Sequence, residues 1–415
     1  MSLAQLLTHW QTDPLSAENF AVWQTTPARA ASLRPFPADL PEKLQASLRA
    51  RGISFLYSHQ AAAWEAARAG QNPVIVTGTA SGKTLAYNLP VLAALQADPE
   101  ARALYLFPTK ALAQDQFSGL QQQFAAAAAI YDGDTPTAKR SAIRKTARLI
   151  FSNPDMLHTG ILPHHTNWMD FFSHLRFVVI DEMHTYRGVF GSHVANVIRR
   201  LKRVAQFYGA SPQFILTSAT IGNPRELAEK LTGAPVTVID QDGSARGERH
   251  FLLYNPPVID ESLGLRKSAF QESVRLAQDL LKNGIQTVLF ARSRRSVELL
   301  LTFLQGEKRE SFLGRPETRA NASDLAIPNF PIPKSQIRGY RSGYLPAQRR
   351  EIEQGLRDGS VRLVVATNAL ELGIDIGGLG AALLVGYPGT IASVIQQSGR
   401  AGRGEAPRAP GSPPP

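Results

Sequence analysis

Residues 74–84 read Val-Ile-Val-Thr-Gly-Thr-Ala-Ser-Gly-Lys-Thr and run straight into an apolar helical stretch. A short apolar strand, a tight loop of Gly, Thr and Ser, then Lys83 and Thr84 at a helix start is an order that fits a strand-to-helix turn. Such a turn leaves the first N–H groups of the helix without partners and pointing at one spot, where a phosphate chain fits. In that arrangement Thr79, Ala80, Ser81 and Gly82 wrap the phosphates, Lys83 neutralises the β and γ groups, and Thr84 ligates Mg²⁺. The strict form of the pattern has glycine at position 77, where this chain has Thr77. A solvated glycine turn is the competing reading.

A strand-to-helix turn of this kind belongs in an α/β layer, and the flanking sequence supplies one. Apolar runs recur at 73–76, 103–107, 149–151, 177–180 and 213–216, separated by helical stretches such as 85–96 and 191–205. That alternation predicts a mostly parallel sheet wrapped by helices. Two further helices are expected over 40–51 and 59–69, each stopped by a glycine. A polar, turn-rich stretch at about 240–267 leads to a second series, with a helix at 268–282 and strands at 287–290, 361–366 and 381–385. The expected organisation is therefore a helical N-terminal arm at 1–52, α/β domains at 53–240 and 245–405, a loop or insertion at 306–335, and a proline-rich, disordered tail at 406–415.

Composition fits this class. Hydrophobic residues make up 43% and charged residues 19% of the 415, enough apolar side chain for ordinary cores and too little charge for wholesale disorder. There is no Cys, which excludes thiol nucleophiles and Cys-based zinc sites. The net charge of +11 is spread over both halves, with 22 Lys and Arg against 17 Asp and Glu in residues 1–240 and 23 against 17 in 241–415. A basic surface of that extent favours a polyanionic partner. No apolar run reaches the length of a membrane span and the start lacks a secretory pattern, so a cytoplasmic or nucleoid-associated protein is expected.

The partner of the phosphate turn is Phe177–His184, reading Phe-Val-Val-Ile-Asp-Glu-Met-His, with Asp181 98 residues after Lys83. An apolar strand ending in two carboxylates puts Asp181 at the C-terminal edge of the sheet, where it can hold Mg²⁺, with Glu182 beside it to polarise a water. An ordinary acidic turn after a buried strand is the alternative.

With these residues in place the chain resembles superfamily 2 helicases of the DEAD/DEAH-box type. Besides GTASGKT at 78–84 and DEMH at 181–184, it carries PTKALAQDQ at 108–116, SNPDML at 152–157, TSAT at 217–220, ATNALELGIDIG at 366–377 and QQSGRAGR at 396–403. The order of all these is far more specific than any one of them. YRGVFGSHVANVIRRL at 186–201 and YRSGYLPAQRREIE at 340–353 further resemble the YprA-type group, also called mitomycin repair factor A.

The resemblance implies two tandem RecA-like domains with ATP and Mg²⁺ in the cleft between them, and 3′→5′ DNA helicase activity in DNA repair. By position, Gln60 resembles the glutamine that bonds adenine, and Gly373 and Asp375 resemble the ribose and phosphate side of the site. Lys83, Asp181, Glu182, His184, Arg400 and Arg403 resemble the catalytic set, the two arginines as fingers that stabilise charge on the γ-phosphate. Ser218 and Thr220 resemble the motif that couples hydrolysis to movement. Thr109, Lys110, Ser152 and Thr367 resemble positions that hold the phosphates of single-stranded or tailed duplex DNA, which would make binding independent of sequence. Tyr186, Arg187 and Phe190 either stack on a base or pack internally. Each polar residue has a plainer alternative as a cap or a solvated side chain.

The pattern departs from the family after Arg403, where a last strand and helices are expected and the chain turns to prolines. The expectation is a truncated or frame-shifted frame, acting as a monomer. A catalytically impaired nucleic-acid-binding remnant and an RNA helicase are the alternatives.

Overall fold

The short apolar runs of the sequence pair side by side, as strands buried on both faces must. The computed structural model describes residues 2–79, 81–123, 127–305, 332–371 and 378–402. They fall into two units, residues 30–245 and residues 2–29 together with 246 onward. Ala80, Gly373, Asp375, Arg403, the tail and most of 306–335 lie outside the described residues.

Helix α1 (Leu3–Thr12) and strand β1 (Phe20–Thr26) open the chain. The unit of residues 30–245 follows with α2 (Ser58–Arg68), β2 (Pro73–Val76), α3 (Lys83–Ala97), β3 (Arg102–Leu106) and α4 (Lys110–Gln123). It continues through β4 (Ala128–Ile130), α5 (Thr137–Thr146), β5 (Leu149–Ser152), β6 (Leu175–Ile180), α6 (Gly188–Phe207), β7 (Gln213–Ser218), α7 (Pro224–Thr232) and β8 (Thr237–Ile239). The strands lie in the order β8-β2-β7-β6-β3-β5-β4, all parallel.

Successive residues of each strand enter opposite layers, as strand geometry requires. Ile75, Tyr105, Val179 and Ile215 pack with Trp64, Leu89 and Leu112 of α2, α3 and α4. Val76, Leu104, Val178 and Leu216 pack with Ile198, Leu201 and Leu231 of α6 and α7. The expected strands are present, with β4 and β8 added at the two sheet edges, where a three-residue strand carries too little pattern to be read.

The other unit holds β9 (Arg249–Tyr254), α8 (Ala269–Lys282), β10 (Thr287–Phe290), α9 (Arg294–Leu304), β11 (Ile337–Tyr340), α10 (Pro346–Asp358), β12 (Leu363–Ala366), β13 (Ala381–Leu384) and α11 (Ile391–Ser398). Its parallel sheet runs β11-β12-β10-β13 among the described residues. Both units are RecA-like α/β layers.

The start of the chain differs from a simple helical arm. Strand β1 pairs antiparallel with β9, inside the stretch expected to be a polar linker. Leu6, Leu7 and Trp10 of α1 pack on Leu276, Leu280 and Ile285, and the Phe20 ring bridges Trp10 at 5.8 Å and Tyr254 at 5.0 Å. Residues 2–29 thus complete the later unit, while Leu40, Leu44 and Leu48 belong to the core of the earlier one. No helix of the described residues is long and apolar enough to cross a membrane.

Trp10 is 4% exposed, so Trp10→Ala is expected to destabilise the unit containing 246–402 by about 3–5 kcal/mol. Denaturant unfolding should show that transition moving while the transition of residues 30–245 stays in place.

Candidate functional site

The C-terminal ends of β2, β7 and β6 meet at one edge of the sheet, where a parallel α/β layer gathers its ligands. Gly82, with φ +79°, turns the chain from the loop into α3. A side chain there would be strained by the backbone and would also meet Gln60 Nε2 at 2.6 Å. The Gln60 amide donates to the Gly82 carbonyl at 3.0 Å and accepts from the Tyr57 N–H at 2.9 Å, so this 4% exposed side chain is locked onto the loop.

Inside the loop the Ser81 hydroxyl lies 2.6 Å from that of Thr77 and donates to the Gly78 carbonyl. Thr77, where the strict pattern has glycine, thereby supports the turn with its side chain. The Gly78 N–H points at Asp242 Oδ2, 3.4 Å away. The Lys83 ammonium donates to the carbonyls of Thr77 and Ser218, both at 3.1 Å, which ties β2 to β7. Thr84 donates its hydroxyl proton to Gln116 Oε1 at 3.0 Å, leaving oxygen lone pairs for a cation.

Asp181 ends β6 and is 7% exposed. Its Oδ1 accepts from the Thr217 hydroxyl and from the Glu182 N–H at 3.0 Å. Burial, and then the adjacent Glu182 carboxylate, push its pKa up to about 7, with Thr217 and Lys83 offsetting only part. Glu182 is the one described non-glycine residue with positive φ, +50°, a conformation that costs about 1–2 kcal/mol. Its N–H is held by Thr217 Oγ1 at 3.2 Å as well.

His184, 5% exposed, accepts the Ala219 N–H at Nδ1, 3.2 Å away, which assigns the proton of the neutral ring to Nε2. Glu182 Oε2 sits 3.4 Å from that same acceptor nitrogen and is buried without a hydrogen-bond donor. Ser218 closes the group, its hydroxyl donating to the Ala219 carbonyl and lying 3.5 Å from His184 Nδ1. Thr220 is exposed and stands outside this group.

The other half of the edge carries the residues expected to hold nucleic acid. Thr109 and Lys110 are exposed after β3; Thr109 Oγ1 caps α4 at the Leu112 N–H and Lys110 pairs with Asp134 at 2.7 Å. Ser152, at the end of the neighbouring β5, is buried and donates to the Tyr131 carbonyl. Tyr186 is 1% exposed and packs in the core, so of the three residues considered for base stacking only Arg187 and Phe190 face solvent.

In the unit completed by residues 2–29, Thr367 caps the turn Asn368–Leu370. Arg400, 3% exposed, donates from Nη2 to the Glu371 carbonyl at 2.7 Å. The Glu371 carboxylate accepts from Ser393 and Gln397 of α11 at 2.7 and 2.8 Å. Sequence reasoning did not single out Thr217, Gln116, Asp242 or Glu371. Thr217, Gln116 and Glu371 lie within the motifs TSAT, PTKALAQDQ and ATNALELGIDIG, which is the signal that could have found them; Asp242 lies in none.

A phosphate turn, the strand-end acids Asp181 and Glu182, and a second RecA-like unit carrying the helicase motifs in order define a superfamily 2 helicase. The DEAD/DEAH box helicase family matches residues 57–227 and the helicase conserved C-terminal domain matches residues 272–405. The chain is 50% identical over 402 residues to the uncharacterized ATP-dependent helicase YprA of Bacillus subtilis (strain 168), covering 96% of this chain and 51% of that protein. It is 41% identical over 389 residues to the ATP-dependent helicase HRQ1 of Saccharomyces cerevisiae, covering 91% and 34%. The crystal structure of the DUF1998 helicase MrfA bound to DNA and AMPPNP matches with a TM-score of 0.87 at 49% identity, over 97% of this chain and 54% of that one. The chain belongs to the superfamily 2 helicases of the YprA/MrfA type, and spans about half or less of the length of these relatives.

The raised pKa of Asp181 has a consequence for stability. The folded state holds this proton more tightly than the unfolded chain, so the contribution of Asp181 to stability falls as pH rises from about 4 to about 7 and then levels off. Asp181→Asn is therefore expected to raise the melting temperature of the nucleotide-free protein, by a gap that widens from pH 5 to pH 8. A gap that does not change with pH would contradict the buried, charge-opposed setting of Asp181.

Proposed function

We propose that this chain is an ATP-hydrolysing 3′→5′ DNA helicase acting in DNA repair. The observation that carries the reading is the Glu182 carboxylate oxygen, buried without a donor beside Asp181 and linked through Thr217 and Ser218 to Lys83. A strained backbone and an unsatisfied buried oxygen are costs a fold retains where the oxygen has work to do.

ATP is the substrate in this reading. Thr79, Ala80, Ser81 and Gly82 wrap its phosphates, Gln60 meets adenine, and Lys83 leaves the Thr77 and Ser218 carbonyls for the phosphate oxygens. Thr84 and Asp181 would hold Mg²⁺, which supplies positive charge against the β and γ oxygens. Glu182 Oε2 accepts the proton of the attacking water, and the Thr217 hydroxyl, which accepts the Glu182 N–H, fixes the backbone that carries this carboxylate. In the second domain Gly373 and Asp375 take the ribose and phosphate side, and Arg400 and Arg403 supply charge to the transferring phosphoryl group.

Release of Ser218 by Lys83 gives a physical route from nucleotide to TSAT, so Ser218 and Thr220 are assigned to coupling. Thr109, Lys110, Ser152 and Thr367 hold the backbone of single-stranded or tailed duplex DNA. Ser152 acts there through its position on the edge, since its hydroxyl is used internally.

Glu182→Gln keeps the shape of the site and removes the base. Hydrolysis is expected to fall about 100-fold or more, while binding of a non-hydrolysable ATP analogue stays within a few-fold of wild type. A wild-type rate from this variant would remove Glu182 from the reaction.

A further inference from the structure

Helix α6 starts beside the nucleotide edge and ends at the opposite edge of the sheet. It leaves the turn after Asp181, runs 20 residues, about 30 Å at the helical rise, and returns the chain to the start of β7. Its sequence holds Arg199, Arg200, Lys202 and Arg203 and no Asp or Glu. Lys202 is used internally, on the Thr232 and Gly233 carbonyls that end α7.

Arg200 is half-buried with Nη1 3.0 Å from His158 Nδ1, whereas Arg199 and Arg203 are exposed, Arg199 donating to Asn196 Oδ1 at 2.6 Å. Asn196, Arg199, Arg203 and Phe207 follow at spacings of three, four and four, which places them on one stripe of the helix, and all four are exposed. Arg203 has no partner among the described residues. Phe207 is 76% exposed, an unusual setting for a phenyl ring, and its ring is backed by His165 at 6.3 Å and Tyr208 at 5.0 Å. His165 is itself fixed by the Tyr208 hydroxyl at 2.8 Å, so the ring rests on a built support. Two acids of the same helical layer are already paired, Asp170 with Arg102 and Glu226 with Lys230.

We propose that this stripe is a second nucleic-acid surface, which binds a single strand through Arg199 and Arg203 at its phosphates and Phe207 under a base. Cations spaced along a helix with an exposed, supported aromatic ring are what sequence-independent single-strand binding uses. An acidic protein segment would satisfy the arginines and leave the phenyl ring without a role. The surface lies at the far edge of the sheet from Thr109, Lys110 and Ser152, so one domain would hold a strand at both ends of its sheet. It goes beyond the proposed motor activity and does not depend on nucleotide.

The test compares wild type with the Arg199→Ala/Arg203→Ala/Phe207→Ala variant, whose exposed positions should leave the melting temperature unchanged. Binding is measured by fluorescence anisotropy on a dT oligomer of about 40 nucleotides, several times the roughly 4–16 that one groove covers. The variant is expected to bind about ten-fold or more weakly, and its salt slope to shrink by about 1.4, at roughly 0.7 per lost phosphate contact on a single strand. Phe207→Ala alone should lose about five-fold or more. Equal affinity and slope for variant and wild type overturn the proposal, as does polyglutamate competing as well as DNA of equal charge. Hydrolysis stimulated by a short oligomer reads the other edge separately. If it is absent in wild type while the variant still loses binding, the motor reading fails and this surface stands.

Discussion

A buried carboxylate and a half-buried one at the end of one strand, with the Lys83 ammonium beside them among the described residues, set the terms for the first domain. Asp181 and Glu182 sit side by side at a protein edge that excludes most water, and Lys83 is engaged with backbone carbonyls on either side of it. Like charges at that separation in a poorly solvated site are unfavourable unless a proton or a cation joins them. The parallel sheet makes this arrangement, because it delivers the ends of β2, β7 and β6 to the same place. The Thr217 hydroxyl then holds the Asp181 carboxylate and the Glu182 backbone N–H together. The edge is stable enough to fold and unsatisfied enough to bind.

The same sheet separates two tasks by strand order. The strands that end in the phosphate turn, TSAT and the acid pair lie together, and β3 and β5 carry the residues proposed to hold nucleic acid beside them. Ser218 is the physical link, since its carbonyl receives Lys83 and its hydroxyl lies against His184. In the proposed cycle, a ligand that draws Lys83 away would leave the Ser218 carbonyl without that donor.

Much of this was legible in the sequence, for definite reasons. A phosphate turn and a strand-end acid pair are local patterns, and their residues appear within a few positions of one another. Gln60 was placed by resemblance, and in the structure its amide is bonded to Gly82 and Tyr57 at the phosphate turn. What was not legible was long-range or structural. Strand β1 finds its partner in β9 far along the chain, with no turn signal between them, so a strand read as a broken helix and its partner as a linker. The internal bond of Ser152 to the Tyr131 carbonyl is invisible in SNPDML, and between stacking and packing for Tyr186 only the fold decides, for packing. Asp242 sat in a polar stretch whose composition gave no hint that it reaches the Gly78 N–H.

The central claim is that the nucleotide edge and the nucleic-acid edge of this chain work as one machine. The most direct measurement is steady-state ATP hydrolysis by the purified chain alone, with single-stranded DNA and with single-stranded RNA, beside Lys83→Ala. Hydrolysis that DNA stimulates more than RNA, and that disappears in Lys83→Ala, is the expected result. A rate unaffected by either nucleic acid, or retained in Lys83→Ala, would contradict it.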